Sequence, residues 1–302
     1  PEGMMLIDAD LNAIENRVLG WLANCVKILR AFKEGRDPYI DFATYLFDMP
    51  YDVLWHEYKV QGNGAKRTIS KPGVLGCGYM LSAGEKRINR QTGEIEATGL
   101  LGYAWDMGVK HFTPEQSKLS VDTFRREFHE VKDYWYGIER AAKKCIKTGR
   151  AVTYGEDYAR ATFDRLGPFL RMILPSGRAL HYVRPRVEMK KAPWGDMKET
   201  ITYEGLNDRK QWVRLTTHPG KLTENADQAI ARDLLAHGIM LAYNRGLDIR
   251  LHVHDQIIGL SMADKAEAEL QDLIECMETP PPWAPDIPLG SAGFISPVFM
   301  KD

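Results

Sequence analysis

Two carboxylates stand where apolar strand sequence does not ordinarily hold them. Residues 249–260 read IRLHVHDQIIGL, a run of alternating and β-branched apolar residues that predicts a buried hairpin or central strand. His254-Asp255 sits in its middle, and an ionised aspartate there is costly unless something compensates it. Alone, the pair is as well explained by a satisfied core aspartate or a tight turn. A second run, Met4–Ile7, ends in Asp8-Ala9-Asp10 and passes straight into a helical pattern. Two strands that each deliver a carboxylate to one point are what a pair of divalent metal ions needs. Asp10 and Asp255 are the candidates, with Asp8 as the fallback because it shares a strand face with Asp10.

A cationic row accompanies them. Arg67, Lys71, Leu75 and Tyr79 step by four, which stacks them along one helix face. Such a row is commonly just a solvated basic face. Pro72 removes a backbone donor and crowds the preceding turn, so the sequence predicts a kink there or a helix that begins at Pro72.

The elements that must position these groups follow in order. Ile14, Val18, Trp21, Leu22, Cys25, Leu29 and Phe32 form one helical stripe ending near Gly35, and Asp37-Pro38-Tyr39 opens another helix. Residues 90–112 are glycine-spaced and loop-rich, and Thr113-Pro114-Glu115-Gln116 is a capping-box start. The helix it opens runs to Gly149, bent midway. Residues 174–185 place a Ser-Gly turn between apolar flanks, and Thr200–Tyr203 and Gln211–Leu215 read as further strands. Thr223 or Glu224 opens a helix to Gly246, with Gln228, Arg232 and Asp233 on its polar side. Ala263–Met277 is a surface helix, ProProProTrp at 280–283 an extended linker, and a last strand ends near Phe299.

With 302 residues and 44% apolar content the chain can bury a full core, in two subdomains. A net charge of −1 excludes a polybasic binder, yet residues 165–198 hold eight basic side chains against two acidic ones, enough for phosphate contacts. The four cysteines form no CxxC pair and read as reduced, mostly buried thiols of a cytoplasmic protein. No signal peptide or membrane-length apolar run is present.

Together, the aspartate ending the first strand, the Arg67–Tyr79 row and the late His-Asp resemble the three polymerase motifs of the DNA polymerase I-like (family A) DNA polymerases. Asp10, Ile14, Glu15, Arg17 and Val18-Leu19 match the first motif; Arg67, Lys71, Gly76 and Tyr79 the second; Val253-His254-Asp255 the third. The likeness continues through 134–142 (YWYGIERAA), 174–182 (LPSGRALHY) and 220–235 (GKLTENADQAIARDLL), and is strongest for the phage branch. It implies an α+β fold: an antiparallel palm sheet with helices from 1–19 and 166–302, and an inserted, mainly helical fingers subdomain at 20–165.

The resemblance also implies roles. Asp10 and Asp255, with the carbonyl of Leu11, would hold two Mg²⁺ ions, Mn²⁺ being able to substitute. Arg67 and Lys71 would bind the incoming triphosphate, Lys71 acting in catalysis, with Tyr39 adding a phosphate contact. Tyr79 and Glu15 would close the floor of the sugar pocket, and Leu75 would pack on the base or sugar. Gln228, His254, Arg178 and Arg232 would contact the DNA primer–template. The implied substrates are dNTPs, and the implied setting is the cytoplasm of an infected host cell, with no membrane.

Two positions depart from the family pattern: Leu75 replaces an aromatic residue, and Gln256 replaces a glutamate. A catalytic strand so near Pro1 also suggests that a thumb and proofreading exonuclease lie upstream, in a cut-away part or a separate N-terminal partner. Two rival readings stay open. A His-Asp metal phosphohydrolase would place its pair on a helix, and a weakly active or inactive DNA-binding subunit of a split polymerase would accommodate Gln256.

Overall fold

The computed structural model describes residues 3–89, 93–191 and 195–300. The start of the loop-rich stretch at 90–92 and the expected opening at Pro1 lie outside them. The chain divides into two compact units, one of residues 1–18 and 226–302, the other of 19–225.

The chain begins with β1 (Met4–Leu11), α1 (Ile14–Leu22) and α2 (Val26–Lys33). The single stripe expected from Ile14 to Phe32 is thus two helices: the chain breaks at 23–25, where Asn24 takes a left-handed φ of 48°. Apolar periodicity continues across the break, which is why the sequence pattern does not show it. Next come α3 (Pro38–Phe47), α4 (Tyr51–Lys59) and α5 (Ala65–Cys77). Asp37 caps α3 by accepting from the amides of Tyr39 (2.9 Å) and Ile40 (3.0 Å). α5 does not begin at Pro72 but contains it, one and a half turns from its end. The helix survives its proline because it is packed, with Ser70, Pro72, Gly73, Val74, Gly76 and Cys77 all buried. At Gly73 a Cβ would lie 2.7 Å from the Phe42 ring, so glycine is what lets α3 and α5 approach.

A short hairpin of β2 (Lys86–Ile88) and β3 (Ile95–Ala97) leads to α6 (Gly99–Asp106), α7 (Pro114–Glu127) and α8 (His129–Thr148). Thr113 and Gln116 make the expected capping box, and Gly149 ends α8 in the left-handed conformation. The midway bend is a break at Phe128, which packs edge-on against Phe124 and tilted against Phe42. Trp135, fully buried, donates from Nε1 to the Gly78 carbonyl at 2.7 Å.

Six antiparallel strands follow in sequential order: β4 (Val152–Tyr154), β5 (Ala161–Leu166), β6 (Phe169–Ile173), β7 (Ala179–Lys191), β8 (Met197–Leu206) and β9 (Trp212–Thr217). They group with the helices of the 19–225 unit, so the expected boundary at 165 falls inside β5 and separates no compact bodies. The palm assignment of 166–225 therefore rests on the resemblance alone. The 165–198 patch is also less charged than its composition suggests. Arg171 pairs with Asp164 and Arg184 with Glu204, carboxylates on adjoining strands outside the counted window.

The chain then forms α9 (Pro219–Asn244), which starts four residues before Thr223, and β10 (Asp248–Val253), β11 (Gln256–Met262), α10 (Ala266–Glu278) and β12 (Ser291–Ser296). The 1–18/226–302 unit holds an antiparallel sheet in the order β10-β11-β1-β12, with α10 packed on β1 and β12. Ile7, Ala9, Leu11, Ile257 and Ile258 are buried within it. The 249–260 run is a hairpin, one of its two expected forms, but only its β11 half is buried, β10 being the exposed edge. The 280–283 stretch is not an extended linker either: it turns, with Ala284 donating to the Pro281 carbonyl. No helix among the described residues is long and apolar enough to cross a membrane.

Candidate functional site

In the 1–18/226–302 unit the site grows from the central strand. β1 lies between β11 and β12, with Asp10 opposite Gln256 and Asp8 opposite Ile258. Strand alternation therefore puts Asp8, Asp10 and Gln256 on one face, away from Ile7, Ala9 and Leu11. Asp8 is only 3% exposed, and both of its carboxylate oxygens accept from Gln256 Nε2 at 2.7 Å. Asp10 is half-buried near the strand's end, and its carbonyl accepts from Ser291 Oγ at 2.7 Å.

His254-Asp255 is not inside a strand. It forms the two-residue turn joining β10 to β11, closed by the Val253–Gln256 pair. His254 takes φ 53°, the left-handed sign that such tight hairpin turns require. This placement removes the burial cost that made the pair anomalous in sequence. The Leu11 amide donates to the Asp255 carbonyl at 3.1 Å, so the turn is tied to the end of β1 beside Asp10.

Glu15, in the first turn of α1, accepts from Gln228 Nε2 of α9 at 2.6 Å. Arg232, one turn beyond Gln228, lies 3.3 Å from His252 Nε2. Ile14, Glu15, Gln228, Ala231, Arg232, His254 and Asp255 line a cleft of about 390 Å³. Arg17 braces the surroundings, donating to the carbonyls of Asn12 and Pro288, each at 2.7 Å. Burial lowers its guanidinium pKa to about 10, against the opposing charge of Glu278.

The 19–225 unit holds a separate cationic cluster. Arg67 of α5 is bound by the Asp37 carboxylate, with Nε and a terminal nitrogen both 2.9 Å from Oδ2. Its guanidinium lies over the rings of Tyr39 (4.8 Å to centroid) and Tyr58 (5.0 Å). Lys71 Nζ stands 5.7 Å from the centre of the same Tyr39 ring. Tyr39, Arg67 and Lys71 are thus brought together, as a four-residue step along α5 facing the start of α3 permits. Leu75 lies a turn further along α5, and Tyr79 follows its end, its amide donating to the Gly76 carbonyl. Arg178 sits in the β6–β7 turn, exposed, with its amide donating to Ser176 Oγ.

Three partners escaped the sequence analysis. Asp37 was visible as a helix start but not as the counter-ion of a residue thirty positions on. Tyr58 and the Gln256–Asp8 bond carry no spacing signal at all. Chemically, the first unit offers hard oxygen donors beside a polar cleft, and the second offers cations with planar rings, suited to an anion.

The chain is 30% identical over its full length to a DNA polymerase of Bacillus phage SP02, spanning 42% of that protein. Its fold resembles the POL domain of Pol1 from M. smegmatis, solved in complex with DNA primer–template and dNTP. The TM-score is 0.57 at 19% identity, covering 98% of this chain and 40% of that one. No family model matches the chain.

Proposed function

We infer that this chain is a DNA polymerase I-like (family A) DNA polymerase and performs template-directed transfer of nucleotides from dNTPs to a primer 3′-hydroxyl. The observation that carries this reading is the bond from the Leu11 amide to the Asp255 carbonyl, which seats the His-Asp turn against the end of β1 beside Asp10. In this reading 1–19 and 166–302 act as the palm and 20–165 as the fingers. Because the chain spans about two-fifths of its phage relative, thumb and proofreading functions are assigned to sequence outside it, in the same protein or a partner. The enzyme works on DNA in the cytoplasm of an infected host.

The donors fit Mg²⁺. That ion is commonly bound by only one or two carboxylates together with substrate phosphates and water. Asp10 and Asp255 supply two, and among the described residues no group of three or more His, Cys, Asp or Glu forms a closed cage. Asp10, Asp255 and the Leu11 carbonyl would hold two ions, with Mn²⁺ able to substitute. When bound, the ions lower the pKa of the 3′-hydroxyl and steady the leaving pyrophosphate.

The chain's own side chains do the rest. Arg67 and Lys71 hold the triphosphate and meet the charge that grows on it in the transition state. Tyr39, between them, adds a hydroxyl donor toward phosphate. The resemblance assigns Glu15 and Tyr79 each to discrimination against a 2′-hydroxyl, and Gln228 donates to the Glu15 carboxylate. Leu75 packs on the nucleotide. Arg232, His254 and Gln228, lining one cleft, and Arg178 contact primer–template.

The test is primer extension with Mg²⁺, with and without a supplied N-terminal fragment. Asp10→Asn and Asp255→Asn should each lower incorporation about a thousandfold or more, the loss of several kcal/mol of transition-state stabilisation. Circular dichroism should be unchanged in both. Near-normal turnover in either variant refutes the assignment.

A further inference from the structure

Gln256 is tied to Asp255, Asp10 and Asp8 in three different ways. It is peptide-bonded to Asp255, faces Asp10 across the β1–β11 ladder, and donates from Nε2 to both oxygens of Asp8. Asp8 is 3% exposed and lies between Ile258 of β11 and Phe294 of β12. A carboxylate so buried needs donors, and here the side chain that follows the His-Asp turn supplies one. The bond crosses the ladder diagonally, from the first residue of β11 to a residue two positions before Asp10. It therefore pins the end of β11, and the turn it carries, to β1.

We propose that Gln256 is a positioning residue: through buried Asp8 it fixes where Asp255 stands beside Asp10, and Asp8 and Gln256 form a matched pair in which a glutamate in place of Gln256 is not tolerated. This inference rests on the polymerase reading of the Asp10–Asp255 pair. Glutamate would remove the amide that donates to Asp8 at 2.7 Å and put a second acceptor in its place. The strand end would move off, and with it the turn. Displacing a reacting group by about 1 Å can cost about a hundredfold in rate, so a partly relaxed shift should cost at least about tenfold.

The pair is tested by a cycle of Asp8→Asn, Gln256→Glu and the double variant, in which the amide introduced on β1 would donate to the carboxylate introduced on β11, with the roles exchanged. Metal-free melting temperature and steady-state primer extension are measured for each. Gln256→Glu should melt lower and lose about tenfold or more in kcat, with KM for dNTP within about twofold, because it disturbs the turn and not nucleotide binding. The double variant should recover most of both losses. A Gln256→Glu protein that matches wild type, or a double variant no better than Gln256→Glu, overturns the proposal. If Gln256→Glu does not fold, Gln256→Met removes the amide at similar length; it should lose kcat at unchanged KM, and wild-type kcat overturns the proposal equally. Should the wild-type chain incorporate nothing, the polymerase reading fails, while the melting cycle still decides the Asp8–Gln256 coupling.

Discussion

Asp37 carries two loads that can be separated by a single pair of substitutions. Its Oδ1 caps α3 through the amides of Tyr39 and Ile40, and its Oδ2 binds Arg67. Asparagine keeps the cap, since it ranks with aspartate at that position, and loses only the charge. The Asp37 and Arg67 side chains are 18% and 26% exposed, so the pair is partly screened and contributes about 1 kcal/mol. Alanine loses the cap as well, about 1 kcal/mol more. For a unit of this size each kcal/mol lowers the melting temperature by about 2–4 °C. Asp37→Asn should therefore melt about 2–4 °C below wild type, and Asp37→Ala about 4–8 °C below. Calorimetry at low and high salt distinguishes the parts: the wild-type-to-Asn gap should narrow in salt, while the Asn-to-Ala gap should persist. Equal melting of the two variants, or an Asn penalty that ignores salt, would refute this division of labour.

Two further outcomes follow from charge and burial elsewhere. In primer–template binding, Arg171→Ala and Arg184→Ala should leave the salt dependence nearly unchanged, because Asp164 and Glu204 already neutralise those side chains. The Lys190→Ala/Lys191→Ala double variant should reduce the slope of log K against log salt by about 1–2, and the reverse ranking would show that the ion pairs open on DNA. Cys25 and Cys77 are pushed up to about 12 by burial, so neither should react with a thiol reagent at neutral pH until the chain unfolds. Their contribution to stability is fully present below the ordinary thiol value of 9 and is lost as pH rises toward 12, since only the unfolded thiols then release protons. Rapid native-state labelling of Cys77, or stability that does not fall between pH 9 and 12, would contradict this.

How much of this was legible in the sequence depended on the range of the cause. Local chemistry was plain: the Thr113 capping box, the Gly149 helix stop and the Ser176-Gly177 turn are each decided by residues a few positions apart. The breaks at Asn24 and Phe128 were hidden or blurred because both flanking helices keep their apolar faces in phase. Pro72 does not start α5 but lies within it, its local cost offset by a buried surface that includes Gly73 against Phe42. The patch at 165–198 looked strongly basic because a window along the chain cannot see the neighbouring strand. The same limit governs the site. Asp10 and Asp255 were conspicuous because a carboxylate in apolar sequence is locally odd, and moving Asp255 to a turn relieves that oddity without moving it from β1. Asp37, Asp8 and Gln256 each drew notice in sequence for another reason, but the partners they bind lie on other elements and carry no local signal. In sequence Gln256 looks like a lost carboxylate; beside a buried Asp8 it is the amide donor that the carboxylate accepts from.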